Sequence, residues 1–120
     1  MSLLANVVVA FVALEHLGFL VLEMFLWTAP VGLRTFGLTA EQAASSAALA
    51  ANQGLYNGFL AAGLLWGLLS GKGSIKVFFL ACVVIAGIFG AFTAKASILF
   101  VQALPAALGL VLVRLSREQP

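Results

Sequence analysis

Three side chains with acid–base chemistry sit inside an otherwise apolar run, "FVALEHLGFLVLEMFLW", residues 11–27: Glu15, His16 and Glu23. On a helix, His16 and Glu23 differ by roughly 20° in direction. Glu15, Phe19 and Glu23 form an i, i+4, i+8 stripe beside them. All three ionisable groups fall within a sector of about 100°. Hydrocarbon does not tolerate such a sector. A charge at the bilayer centre costs about 2.5–3.5 kcal/mol on insertion scales. The sector must therefore face protein, or water held by protein. Glu23, Glu15 and His16 are the candidate catalytic groups, with acid/base or electrostatic roles.

The segment "ANQGLYNGFLAAGLLWG", from Ala51, offers partners. Gln53 and Asn57 are i, i+4 neighbours, and Asn52 and Tyr56 form the adjoining stripe. Gly54 and Gly58 lie on the opposite side, where they suit close helix packing. Gln102 is the one strongly polar residue inside the last apolar run, and Lys95 marks the boundary before it. Sorted by depth, Glu23, Asn52, Gln53, Gln102 and Lys95 form an outer layer. Glu15, His16, Tyr56 and Asn57 lie one to two turns deeper. Asn52, Gln53, Tyr56, Asn57, Gln102 and Lys95 are the candidate ligand-binding residues.

The elements that must position these groups follow from composition. The chain has 120 residues, 63% hydrophobic and 8% charged, where a soluble domain carries about 25% charged residues. A water-facing surface cannot be built from this inventory. The apolar runs are each near the ~20 residues needed to cross a bilayer as a helix. The expected fold is all-α: one domain over 1–120, an integral membrane four-helix bundle with helices at about 3–27, 40–69, 75–94 and 97–114, with a homotrimer the favoured assembly. "TAPVGLRTFGLTAEQ" breaks the first run from the second through Pro30, Gly32 and Gly37. Thr39 with Gln42 forms a capping box that starts the second helix near Ala40. The first run lacks a basic leader and ends in an aromatic cluster, so it is expected to stay as a span rather than be cleaved.

The net charge is +2, from six basic and four acidic residues. Most basic residues lie at segment ends, which signals topology rather than nucleic-acid binding. Lys72, Lys76, Arg114 and Arg117 fall on one side of four spans, Arg34 and Lys95 on the other. The expected location is a bacterial inner membrane, multi-pass, with both termini cytoplasmic. Cys82 is the single cysteine, so no intramolecular disulfide forms. No metal cluster or phosphate loop is visible. The sequence names no cofactor, and haem enters only if His16 ligates its iron. Trp27 and Trp66 read as interface anchors.

At "EHLGFLVLEMFLW" and "NQGLYNGFLAAGLLWG" the chain resembles, over essentially its whole length, the bacterial membrane family known as domain of unknown function 1304. That resemblance implies four spans and no particular activity. Gln53, Leu55, Tyr56 and Asn57 also look like the Asn-x-Leu-Glu-Asn pattern of the membrane-associated eicosanoid and glutathione metabolism proteins. Those are four-helix trimers with sites between subunits, and bacterial styrene oxide isomerase is similar in architecture. Tyr56 stands where that pattern has glutamate, and the arginines that would hold glutathione are missing. Only the architecture is implied.

The residues leave three functions open. One is an intramembrane site that binds, and could convert, a small lipophilic molecule. Another is a proton-coupled small-solute transporter. The last is a structural subunit without a ligand. Membrane lipids and further copies of the chain are the expected partners.

Overall fold

A computed structural model describes residues 2–116. All regular elements are helices, with no strand among the described residues. The helices are α1 (Leu3–Met24), α2 (Pro30–Phe36), α3 (Ala40–Ser70), α4 (Gly73–Thr93) and α5 (Leu104–Leu115); a π-helical turn, Leu99–Ala103, leads into α5.

Local chemistry sets each boundary. α1 ends at Met24, one turn earlier than the expected Trp27. The N–H groups of Phe25 and Leu26 both reach the Val21 carbonyl, which widens and closes the last turn. The following stretch, expected as a plain break, contains the two-turn α2. Pro30 occupies its first positions, where the missing N–H has no intrahelical partner to lose. Gly37 ends it at φ 65°, a left-handed cap whose N–H bonds the Leu33 carbonyl. Gly32 is buried against the Leu26 and Trp27 carbonyls, where any Cβ would collide. α3 opens with the reciprocal capping box. The Thr39 N–H donates to Gln42 Oε1 at 2.9 Å, and the Gln42 N–H to Thr39 Oγ1 at 3.1 Å. The last apolar run, expected as one helix over 97–114, is not regular. Pro105 cannot donate to the carbonyl four residues back and crowds it, and the widened turn before it absorbs the misfit.

Two helices, α1 and α4, are long and apolar enough to cross a membrane. The expectation was four. α3 has the length but carries Glu41, Gln42, Ser45, Ser46, Asn52 and Gln53 along its first half. The final run, Leu99–Leu115, is apolar but shorter. The outward faces are apolar as well: Phe78, Ile85, Phe89 and Phe92 of α4 are each more than 60% exposed. Water-soluble monomers rarely leave so large a contiguous apolar surface uncovered.

The chain divides into two compact units. The first comprises residues 1–14 and 60–120. Its core is Ala5, Val9, Val12 and Ala13 of α1, Leu64 of α3, Leu80 and Val83 of α4, and Ala106 and Val113 of α5. Small residues let these helices close. A Cβ on Gly87 would stand 2.8 Å from both the Cβ and the backbone nitrogen of Ala103, and a Cβ on Gly109 would press Leu80 and Val8 at 3.3 Å. The second unit, residues 15–59, holds the rest of α1, α2 and the first part of α3. Trp27 is its tie. The indole Nε1–H donates to Ser46 Oγ at 3.1 Å, and the ring leans on Phe36 at 4.7 Å. The anchor expected at the membrane interface thus makes a hydrogen bond within the protein, to Ser46 of α3.

The glycine contacts generate a paired test. Gly87→Val should lower thermal stability in detergent by about 1–3 kcal/mol, the usual range for overpacking. Gly18 lies mid-helix with nothing within 4 Å of an added Cβ. Gly18→Ala should hold or raise stability, by up to about 1 kcal/mol from helix propensity.

Candidate functional site

Seven of the nine candidate residues belong to the second unit, and two pairs of facing residues explain why its helices approach. Gly54 and Gly58, one turn apart on α3, present bare backbone to α1. A Cβ on Gly54 would meet Met24 Cγ at 2.6 Å and Glu23 Cβ at 3.1 Å, and one on Gly58 would meet Leu20 Cδ1 at 2.7 Å. This notch brings the α3 backbone close enough for short side chains to bond across it. Asn57, beside the notch, does so: its Nδ2–H donates to Glu23 Oε1 at 2.5 Å. Both residues are half-buried.

This pairing corrects the depth sorting. Asn57 was expected in the deeper layer with Glu15 and His16, and Glu23 in the outer layer with Asn52 and Gln53. The structure joins Asn57 to Glu23. Asn52, Gln53 and Tyr56 are exposed, and the Tyr56 ring stacks edge-on against Phe59 at 5.8 Å. The amide ladder expected to line one face therefore splits, with Asn57 turned toward α1 and the other three turned outward.

His16 is fully buried, its ring edge-to-face with Phe19 at 5.2 Å and 70°. Next to it in sequence, Glu15 is half-buried, and its Oε1 is buried with no hydrogen-bond partner among the described residues. A carboxyl oxygen left this way is uncommon, because buried polar atoms are generally satisfied. Haem enters only through ligation by His16, and the packing of that ring bears on it. An axial ligand needs an open nitrogen, and His16 has no exposed surface. Among the described residues, no three His, Cys, Asp or Glu side chains gather as a metal would require.

The remaining candidates, Lys95 and Gln102, lie in the first unit. Lys95 is exposed, and Gln102 is half-buried in the π-helical turn. That unit contains a polar pair the sequence reading did not single out. Lys76, expected as a solvated topology marker, is fully buried, and its Nζ donates to Asn6 Oδ1 at 2.8 Å. Its stem fills the space beside Gly67, where a Cβ would meet Lys76 Cγ at 2.7 Å. The available signals were a lone asparagine in the first apolar run and a lysine placed one turn inside the third.

The split between inward and outward residues is testable. Asn57→Leu leaves the Glu23 carboxyl without its donor and should cost about 1–3 kcal/mol of stability. Tyr56→Phe changes an exposed group with no bond across the notch, and should stay within about 0.5 kcal/mol. Thermal or steric-trap unfolding in micelles measures both.

No curated protein and no solved structure matches the chain. The likeness to the eicosanoid and glutathione metabolism proteins therefore rests on Gln53, Leu55, Tyr56 and Asn57 alone. One family model does match, over residues 10–114, which takes in both halves of the Glu23–Asn57 pair and every candidate residue. The chain belongs to that family, described as "Protein of unknown function (DUF1304)".

Proposed function

We propose that this protein resides in a bacterial cell membrane and holds a small lipophilic molecule at a polar pocket around Glu23 and Asn57. The observation that carries the reading is the carboxyl–amide bond between α1 and α3, with a buried imidazole and a carboxyl oxygen that lacks a partner about two turns away along α1. Packing alone does not require so many ionisable groups, and such groups inside membrane helices are functional candidates by default. The apolar outer faces of α1 and α4 support insertion in lipid.

In this reading the chain is a single domain with four crossings in a helix bundle, assembled as a homo-oligomer, with a trimer favoured over a dimer. Both termini face the cytoplasm. Among the described basic residues, the exposed Lys72 and Arg114 stand on the cytoplasmic side, against Arg34 and Lys95 on the other. Arg117, counted with the first pair, lies outside the described residues. Lys76 drops out of that count, because it is buried rather than solvated. Glu23 and Glu15 supply the electrostatic or proton-transfer groups, with His16 behind them. Asn57 fixes Glu23. Asn52, Gln53 and Tyr56, which face outward, are ligand-orienting groups open to a neighbouring subunit.

Glu23→Gln tests the reading. Glutamine keeps the shape and can still accept from Asn57, so the variant should assemble and elute like the wild type. Purified from its own membrane and extracted into organic solvent, the wild type should yield a small molecule by mass spectrometry that the variant lacks. Equal yields from the two would remove Glu23 from the site.

A further inference from the structure

The charged residues are segregated between the two units. Among the described residues, the first unit contains Lys72, Lys76, Lys95 and Arg114 and no carboxylate, whereas Glu15, Glu23 and Glu41 all fall in the second. Three of the four cations share one end of the first unit. α4 and α5 run antiparallel, with Gly87 against Ala103 and Leu80 against Gly109. Continuing that register brings the start of α4, with Lys72 and Lys76, to the end of α5, with Arg114. Asn6, bonded to Lys76, and Val8, against Gly109, place the start of α1 there too. Lys72 and Arg114 are exposed, whereas Lys76 is buried and bonded to Asn6.

We infer that this end of the first unit binds the headgroup of an anionic phospholipid. Charge complementarity carries the inference. A membrane-spanning element whose end presents two exposed cations, with no carboxylate among the described residues of its own unit to neutralise them, attracts the acidic lipid of the leaflet it faces. The exposed pair contacts the phosphate. The inference rests on the membrane reading above.

Trp66 reports on this end. It is 59% exposed on α3, one turn before that helix closes at Ser70. The full chain carrying Trp27→Phe, so that Trp66 is the sole emitter, is reconstituted in vesicles containing brominated phosphatidylglycerol or brominated phosphatidylcholine. Quenching gives the relative affinity for the two lipids. The expected result is a clear preference for phosphatidylglycerol, which Lys72→Gln with Arg114→Gln lowers by about thirtyfold, the factor for two surface charges. Equal quenching by both lipids, or a preference that the double variant keeps, would overturn the inference. So would loss of the preference in inorganic phosphate at matched ionic strength, which would assign the charges to the free ion. Wild-type protein that fails to insert overturns the membrane reading along with this one; inserted Trp27→Phe protein without a preference overturns this one alone.

Discussion

A polar side chain carried into an apolar helix must be answered by another polar group within reach, and in the second unit that demand is met across the Gly54–Gly58 notch. The distance is what matters. Asparagine is short, so Asn57 can reach Glu23 only where α3 has no Cβ to hold it away from α1. The glycines and the bond are therefore one device. In the lipid setting proposed above, burial of apolar surface would supply little drive between helices, so close backbone approach and interhelical hydrogen bonds would have to supply it. The same pairing of features recurs in the first unit, where Gly67 admits the stem of Lys76 and Asn6 receives its ammonium. Each unit is thus held by a glycine gap with a polar bond beside it.

The turn elements serve these two bonds. α2, capped by Pro30 and Gly37, packs so tightly on the turn that follows α1 that Gly32 has no room for a side chain. Trp27 then ties that end to Ser46 of α3. These contacts fix where α3 begins relative to Met24, and hence which residue of α3 arrives opposite Glu23. The π-helical turn before Pro105 does comparable work in the first unit, adjusting the rotation of the final helix so that Ala103 meets Gly87.

Much of this was legible in the sequence. Thr39 and Gln42 predict the start of α3 because the capping box is a local interaction that needs no tertiary information. The small-residue spacing at Gly54 and Gly58 predicts a packing face. The polar constellation on α1 is visible because charges stand out in an apolar run. What was not legible depends on rotation and reach. Helical periodicity places Asn52, Gln53, Tyr56 and Asn57 within a few stripes of one another, but only the notch decides that Asn57 alone turns toward α1. The fate of Lys76 was hidden for a similar reason. A lysine one turn inside an apolar run reads as a boundary charge until a distant asparagine, seventy positions earlier, is brought against it. Pro30, Gly32 and Gly37 read as breakers, yet two of them delimit a short helix, because the same residues that end one element can start and stop another.

The two units differ in what their polar groups leave over. The first concentrates positive charge at one end; the second holds carboxyls, an imidazole and an unanswered carboxyl oxygen between apolar surfaces. A ligand in the membrane would supply what that oxygen lacks, and a neighbouring copy would cover the outward amides of α3. Native mass spectrometry of the protein, released gently from its own membrane, tests this most directly. An oligomer that retains a small lipophilic molecule is the predicted result, and its mass names the ligand class. A bare monomer would contradict the account, since neither the ligand nor the neighbour it calls for would then be present.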